Sequence, residues 1–216
     1  AALVAAQAAG GRAGAGAVAA SDLLLRWAAA RLSSASSTPA HALVFLGMAT
    51  EVFRALGRAG GCLTASEAGA VLPALVTAGL GSPREAVRRA SGEALTAASA
   101  VTAPSRVLDA LAGGLAASHP PRLRVEALVA MADLVQCGAA AGLASTDPKA
   151  PRPFVPVAAA ATADPDLAVR DAALDALAVL VAVEGPGPAW AAAGPMAAEV
   201  RAAVEARVGG VGGGAG

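Results

Sequence analysis

Few side chains in this 216-residue chain are equipped for chemistry: two histidines (His41 and His119), two cysteines (Cys62 and Cys137) and sixteen acidic residues. Metal binding needs such groups at short fixed spacings, and nucleophilic catalysis needs a base beside the nucleophile. His41 and His119 fall on different turns, and neither has a Cys or carboxylate neighbour at ligand spacing. The two cysteines make neither a disulfide framework nor a zinc site, and they read as half-buried packing residues. No G-x-S-x-G occurs, and the single lysine, Lys149, is not in a phosphate loop. Gly14-Ala15-Gly16-Ala17-Val18-Ala19 formally fits a dinucleotide fingerprint, but alanines precede it where a strand is needed, and position 39 is Pro where an acid is needed. We therefore expect no enzyme, no catalytic residue, no metal and no cofactor.

What recurs instead is proline and arginine. Pro83-x-x-x-Val87-Arg88-x-Ala90 matches Pro165-x-x-x-Val169-Arg170-x-Ala172, and Leu123-Arg124-x-Glu126-Ala127 is a looser copy between them. Arg88, Arg124 and Arg170 lie 36 and then 46 residues apart. That approximates the ~40–47-residue period of helix-pair solenoids. A single pair has too narrow an apolar face to stand alone, and stacking joins such faces into one core. The expected fold is all-α, an α-solenoid of stacked HEAT-type helix pairs.

The elements that carry this repeat can be read in order. Ala1–Ala9 suggests a short helical stub, and Gly10–Gly16 a glycine-rich break. Ser21 or Asp22 then caps a helix over Leu23–Leu32. After the polar turn Ser33–Thr38, Pro39 opens a helix to about Leu56, with Leu43, Leu46, Val52 and Phe53 inward. Gly57–Gly61 ends it. Thr64 or Ser66 caps a helix through Leu80, Gly81-Ser82-Pro83 turns the chain, and a further helix carries Val87, Leu95 and Val101 to Pro104. Ser105–Leu115 and Val125–Val135 flank the turn Ser118-His119-Pro120-Pro121. Residues 138–153 read as a loop, Phe154–Ala161 and Leu167–Val183 as another pair, and Trp190–Val208 as a terminal helix before a flexible tail. No period-2 alternation suggests a sheet. The expected division is 1–16 stub and loop, 17–208 repeat domain, 209–216 tail.

Composition bounds the class. Sixteen basic residues cancel sixteen acidic ones, which removes the footprint of a nucleic-acid binder. Alanine accounts for 65 residues, so the 56% hydrophobic content overstates the core. The chain lacks Ile, Asn and Tyr, a skew that a GC-rich genome explains without functional pressure. No run of about 18 apolar residues suggests a membrane span. With no basic-then-apolar leader pattern and no disulfide framework a cytoplasmic location is expected, and the domain is expected to be monomeric.

In a helix-pair solenoid the turns inside successive pairs line up along one edge. Here that edge would carry Ser33–Thr38, Gly81–Arg88, Ser118–Arg124 and Ala163–Arg170. Arg84, Arg88, Arg122 and Arg124 make its middle basic, whereas Asp164 and Asp166 oppose this at the last turn. Arg88, Arg124 and Arg170 recur in register and read first as packing residues that bond neighbouring repeats. Arg84 and Arg122 lie outside the register and read as partner-facing.

Several segments, in order, resemble a known family. They are Asp22-Leu-Leu-Leu-Arg-Trp27, Ala42-Leu43-x-x-Leu46, Leu63-Thr-x-x-Glu67-Ala68, Leu72-Pro73-x-Leu75 and Gly81-x-Pro83-Arg84-x-x-Val87-Arg88. Asp164-x-Asp166-x-x-Val169-Arg170-x-Ala172-Ala173-Leu174, Ala189-Trp190-x-x-x-Gly194, Met196 and Glu205-x-Arg207 complete the set. Together they resemble a TOG domain, most of all the fourth TOG domain of the large microtubule polymerases, over about residues 17–208. The resemblance implies binding of αβ-tubulin or the microtubule lattice through the edge of turns, within a multidomain protein that promotes plus-end growth. It places Ser36 and Thr38 of Ser33–Thr38, with Arg84, Arg88, Arg122 and Arg124, against tubulin's acidic surface. The alternative reading is a HEAT scaffold for another protein. The family's first helix pair, which often supplies an aromatic anchor, is not visible; Trp27 reads as core. The acids of the last turn imply weak binding, or contact with tubulin already in the lattice.

Overall fold

The computed structural model describes residues 12–34, 36–137 and 154–211, with side chains from Ala20 onward except at Pro104 and 209–211. The expected stub Ala1–Ala9, the loop 138–153 and the end of the tail lie outside the described residues. Among the described residues ten α-helices follow one another: α1 (Arg12–Leu32), α2 (Pro39–Arg58), α3 (Ala65–Ala74), α4 (Glu85–Ser99), α5 (Pro104–Gly114), α6 (Pro121–Gln136), α7 (Phe154–Ala161), α8 (Leu167–Glu184), α9 (Pro186–Ala193) and α10 (Ala198–Val211). A π-helical segment, Leu75–Leu80, continues α3, and no strand occurs among the described residues. The described residues form an all-helical fold, and the chain divides into two compact units, Ala1–Ala110 and Leu111–Gly216.

In the first unit α1 packs on α2 and α3, and α2 packs on α4. The core is Leu25, Leu46, Phe53, Val71, Leu75, Val76, Val87 and Leu95, with Ala28, Ala29, Ala49 and Ala98 filling the close approaches. Helix α1 starts earlier than the sequence suggests, its backbone helical through Gly14 and Gly16. Each glycine costs only about 1 kcal/mol in a helix interior, too little to break one. Ser21 is buried within α1, and Asp22 pairs with Arg26 at 2.7 Å instead of capping. Thr38 caps α2 through His41 N, with Pro39 at the first helical position. Leu46, Val52 and Phe53 point inward as expected, but Leu43 is 39% exposed.

Thr64 closes a reciprocal capping box on α3: its hydroxyl accepts from Glu67 N, and its own N–H donates to the Glu67 carboxylate at 2.7 Å. Beyond Pro73 the helix widens to π geometry, and the Ser91 hydroxyl of α4 donates to the carbonyl of Leu75 at 2.6 Å. This contact demands a glycine. A Cβ on Gly79 would stand 2.2 Å from Ser91 Oγ and 2.7 Å from Ser91 Cβ.

The second unit is built around α8. Its stretch Ala176–Val181 is buried on all sides, because α6, α7, α9 and α10 all pack against it. Helix α6 begins a turn before the Val125 expected, with Pro121 at its first position. The single terminal helix expected over Trp190–Val208 is two helices. Gly194 adopts φ +75°, a left-handed conformation that ends α9, and Pro195 follows. The break lets α10 fold back on α8, where Arg207 pairs with Asp175 at 2.8 Å and Asp171 at 3.4 Å. Trp190 lies beneath the Arg201 guanidinium, 4.9 Å from ring centroid to Cζ.

Two stability outcomes follow from these contacts. Gly79→Ala is expected to cost about 1–3 kcal/mol in urea unfolding, through overpacking at Ser91; an unchanged midpoint would refute the close approach. Burial pushes the Asp133 carboxyl of α6 upward. A raised carboxyl pKa means the folded state prefers the proton, so the site's contribution worsens as pH climbs past the ordinary Asp range. Asp133→Asn should therefore raise Tm at pH 7 and leave it unchanged near pH 3.

Candidate partner-binding surface

The turns that begin α4 and α8 share one construction, each within its own unit. Residue 84 or 166 is the helix N-cap with extended backbone, at φ −93°, ψ 120° and φ −84°, ψ 128° respectively. Two residues earlier a side-chain oxygen accepts that N-cap's N–H: Ser82 Oγ from Arg84 N at 3.3 Å, Asp164 Oδ1 from Asp166 N at 2.9 Å. The repeat arginine then reaches back over its own turn. Arg88 Nη1 donates to the carbonyls of Ser82 and Pro83, both at 3.2 Å. Arg170 Nη1 donates to those of Asp164 and Pro165, at 2.8 and 3.0 Å. The bonds found here explain the shared Pro-x-x-x-Val-Arg spacing as a local clamp, not only as the reach into a neighbouring repeat that the sequence suggests.

Arg124 does make the longer reach. Its Nη1 lies 2.6 Å from Asp164 Oδ2, with side chains only 6% and 10% exposed. Asp164 thus serves both its own turn and the Arg124 of α6. Asp166 caps α8 by accepting from Ala168 N at 2.9 Å and Val169 N at 3.4 Å. Of the two acids at the last turn, Asp164 has a nearly buried side chain whose carboxylate is matched by Arg124, while Asp166 caps α8 from a half-exposed position.

Arg84 and Arg122 behave differently. Both are exposed, and neither guanidinium is paired among the described residues. Arg84 occupies the N-cap of α4 without capping it, where Asp166 caps α8. Arg122 is the second residue of α6, whose N-cap, Pro120, also offers no side-chain bond. A helix N-terminus carries partial positive charge, so arginine is there against local electrostatics. A residue that breaks a local rule without local compensation points to a role outside the fold.

In the first turn, Ser36 and Thr38 are exposed, Ser34 and Ser36 hydroxyls lie 2.9 Å apart, and Thr38 Oγ1 accepts from His41 N at 3.3 Å. Other expectations need correction. Trp27 is 51% exposed, its edge against Phe45 at 5.1 Å, because it lies on the face of α1 opposite the buried Leu25, Ala28 and Leu32. Leu23, one turn earlier, is 68% exposed. Cys62 and Cys137 are exposed too, since each follows a helix end instead of lying in a packed face. His119 is a half-buried turn residue whose N–H donates to Ala116 O. Among the described residues no three His, Cys, Asp or Glu side chains gather as a metal site.

Against known proteins, no family model matches the chain and no curated protein matches its sequence. Solved structures do. A TOG domain of Zyg9 from C. elegans superposes with TM-score 0.72 and 24% identity, over 89% of this chain and 68% of that one. The chain has the fold of a TOG domain. A structure determined for TOG–tubulin binding specificity in microtubule dynamics and mitotic spindle formation gives TM-score 0.72 at 22% identity, over 87% of this chain and 67% of that one. Another, from microtubule plus end tracking by XMAP215, CLIP-170 and EB1, gives 0.66 at 17%, over 87% and 74%. Identity this low leaves the TOG fold as the common ground, and the site must be argued from this chain's own turns.

The buried pair makes a specific demand. Asp164→Ala strands the Arg124 guanidinium and frees Asp166 N, so a loss of about 3–5 kcal/mol is expected in denaturant unfolding. A loss below about 1 kcal/mol would show that water solvates Arg124.

Proposed function

We propose that this chain is a tubulin-binding TOG domain, of the type resembling the fourth domain of the large microtubule polymerases. On this reading it acts in the cytoplasm on microtubules or the spindle, within a longer protein that promotes plus-end growth. The observation that carries the reading is the placement of Arg84 and Arg122, exposed and unpaired at helix N-termini where the fold itself would favour an acid. An acidic protein surface supplies the missing partner charge. Complementarity of this kind raises association rate more than affinity.

The roles of the six candidate residues then divide. Arg84 in the first unit and Arg122 in the second contact tubulin directly, and Ser36 and Thr38 offer hydroxyls on the first turn. Arg88 and Arg124 are positioning residues: one holds the carbonyls of its turn, the other holds Asp164. Pairing with Arg124 offsets the repulsion that Asp164 would otherwise exert on an acidic partner, while Asp166 keeps its charge at the start of α8. Net neutrality of the whole chain is no obstacle, because the free positive charge is local.

The test uses opposite signs. Arg84→Asp places a capping carboxylate on α4, and Arg122→Glu places an acid in the first turn of α6. Each should hold or raise stability, by roughly 0.5–1 kcal/mol. Together they should weaken tubulin binding at least tenfold in a gel-shift or co-sedimentation titration at low salt. Equal binding by wild type and double variant would overturn the arginine assignment. Absence of wild-type binding even at low salt would overturn the tubulin reading in favour of a scaffold for another protein.

A further inference from the structure

The chain contains two hydroxyl–proline dipeptides, Thr38-Pro39 and Ser82-Pro83. Each could serve a proline-directed protein kinase, and sequence does not choose between them. The folded turns do. Ser82 is half-buried, its hydroxyl accepts from Arg84 N, and its carbonyl and that of Pro83 are both held by Arg88. Drawing that backbone into a kinase cleft would break the clamp that starts α4. Thr38 is exposed, as are Ser36, Pro39, Ala40 and His41 around it. Its backbone is already extended, at φ −78°, ψ 158°, and its carbonyl accepts only the first rung of α2, from Ala42 N at 2.9 Å, with no arginine on it among the described residues. The hydroxyl makes one long bond, 3.3 Å from His41 N, which is cheap to release.

We propose that Thr38 is a phosphorylation site for a proline-directed kinase, and that its phosphate switches off binding of the acidic partner. The second half rests on the tubulin reading above. In the transfer, Thr38 Oγ1 attacks the γ-phosphorus of kinase-bound Mg-ATP. The Oγ1–P bond forms as the bond from the γ-phosphorus to the β,γ-bridging oxygen breaks. ADP leaves, and the hydroxyl proton passes to the kinase's base.

The product suits the fold. The first turn of α2 contains no acid, so nothing there repels the new charge. Phosphate oxygens at an N-cap can accept from the amides of Ala40 and His41, and the exposed His41 imidazole stands in the same turn. The helix therefore tolerates the modification. The surface does not stay the same: the turn 33–38 holds hydroxyls and no ionisable side chain, and phosphate brings it about −1.5 to −2 charges. A neutral turn facing an acidic partner becomes a repelling one, with the fold intact.

The 216-residue protein is incubated with ATP and a purified proline-directed Ser/Thr kinase, and phosphate is located by tandem mass spectrometry. The expected result is modification at Thr38 well ahead of Ser82 and of Ser33–Ser37, lost in Pro39→Ala, which keeps the hydroxyl. Thr38→Ser with Pro39 in place, which keeps the hydroxyl, the cap and the following proline, should still be modified. Phosphate at Ser82 in preference to Thr38, or no phosphate at Thr38, would overturn the site. The phosphorylated protein should melt within a degree or two of the unmodified one and bind tubulin at least tenfold more weakly. Equal tubulin binding by both forms, or a large fall in Tm, would overturn the switch. If unmodified protein fails to bind tubulin, the functional reading and the switch fall together, while mass spectrometry still decides the site.

Discussion

Two turns of this molecule, those that begin α4 and α8, depend on a guanidinium folded back over the start of its own helix. Arg88 and Arg170 each sit four residues past an N-cap and donate from one nitrogen to two carbonyls that precede the helix. A turn leaves carbonyls that no helix ladder satisfies, and a planar multi-donor cation meets two of them at once. With the backbone fixed, the residue at the N-cap is free to vary. It is Asp166, which serves the helix, in one case, and Arg84, which does not, in the other. The clamp is what allows a residue with no local use to be displayed at a defined place.

Charge is sorted by the same device. The chain carries equal numbers of basic and acidic residues. In the second unit Asp164 faces Arg124 in near-complete burial, and Asp166 turns to the backbone amides of α8. The charge of Asp164 is matched inside the fold, and that of Asp166 serves the start of α8. Arg84 and Arg122 remain outside it, so a protein with no net charge presents positive charge at chosen helix starts. Burying the Arg124–Asp164 pair costs desolvation. What it provides in exchange is a tie between α6 and the turn that begins α8.

Most element boundaries were legible because they are written in local chemistry. Phe154–Ala161 matches to the residue, and Leu167–Glu184 to within one. Pro39 marks a first helical position and Thr64 is one of the two caps the sequence offers for α3, whereas Pro121 reads as part of a turn and is in fact the first residue of α6. The misreadings came where local cues are weak. Gly14 and Gly16 looked like a break because glycine is costly in a helix, but the cost is small beside propagation of an existing helix. Gly194 looked like a tolerable helix residue and instead ends α9 at positive φ. Trp27 reads as core because it lies inside a helix, yet it is 51% exposed. An aromatic side chain one position off the inward stripe of Leu25, Ala28, Ala29 and Leu32 stays at the surface however apolar it is.

The sequence by itself determined the class. A recurring Pro-x-x-x-Val-Arg, a succession of helical segments and no alternating pattern leave a stack of helix pairs as the way to bury such narrow apolar faces. Only the tertiary structure decided what the individual arginines and hydroxyls do. Arg84 and Arg88 differ by one helical turn, and Thr38-Pro39 and Ser82-Pro83 share the same dipeptide pattern. Which guanidinium bends back to a carbonyl, and which hydroxyl stays open to solvent, depends on how the chain folds around each turn. That geometry separates Arg124, buried against Asp164, from Arg122, two residues away and in water.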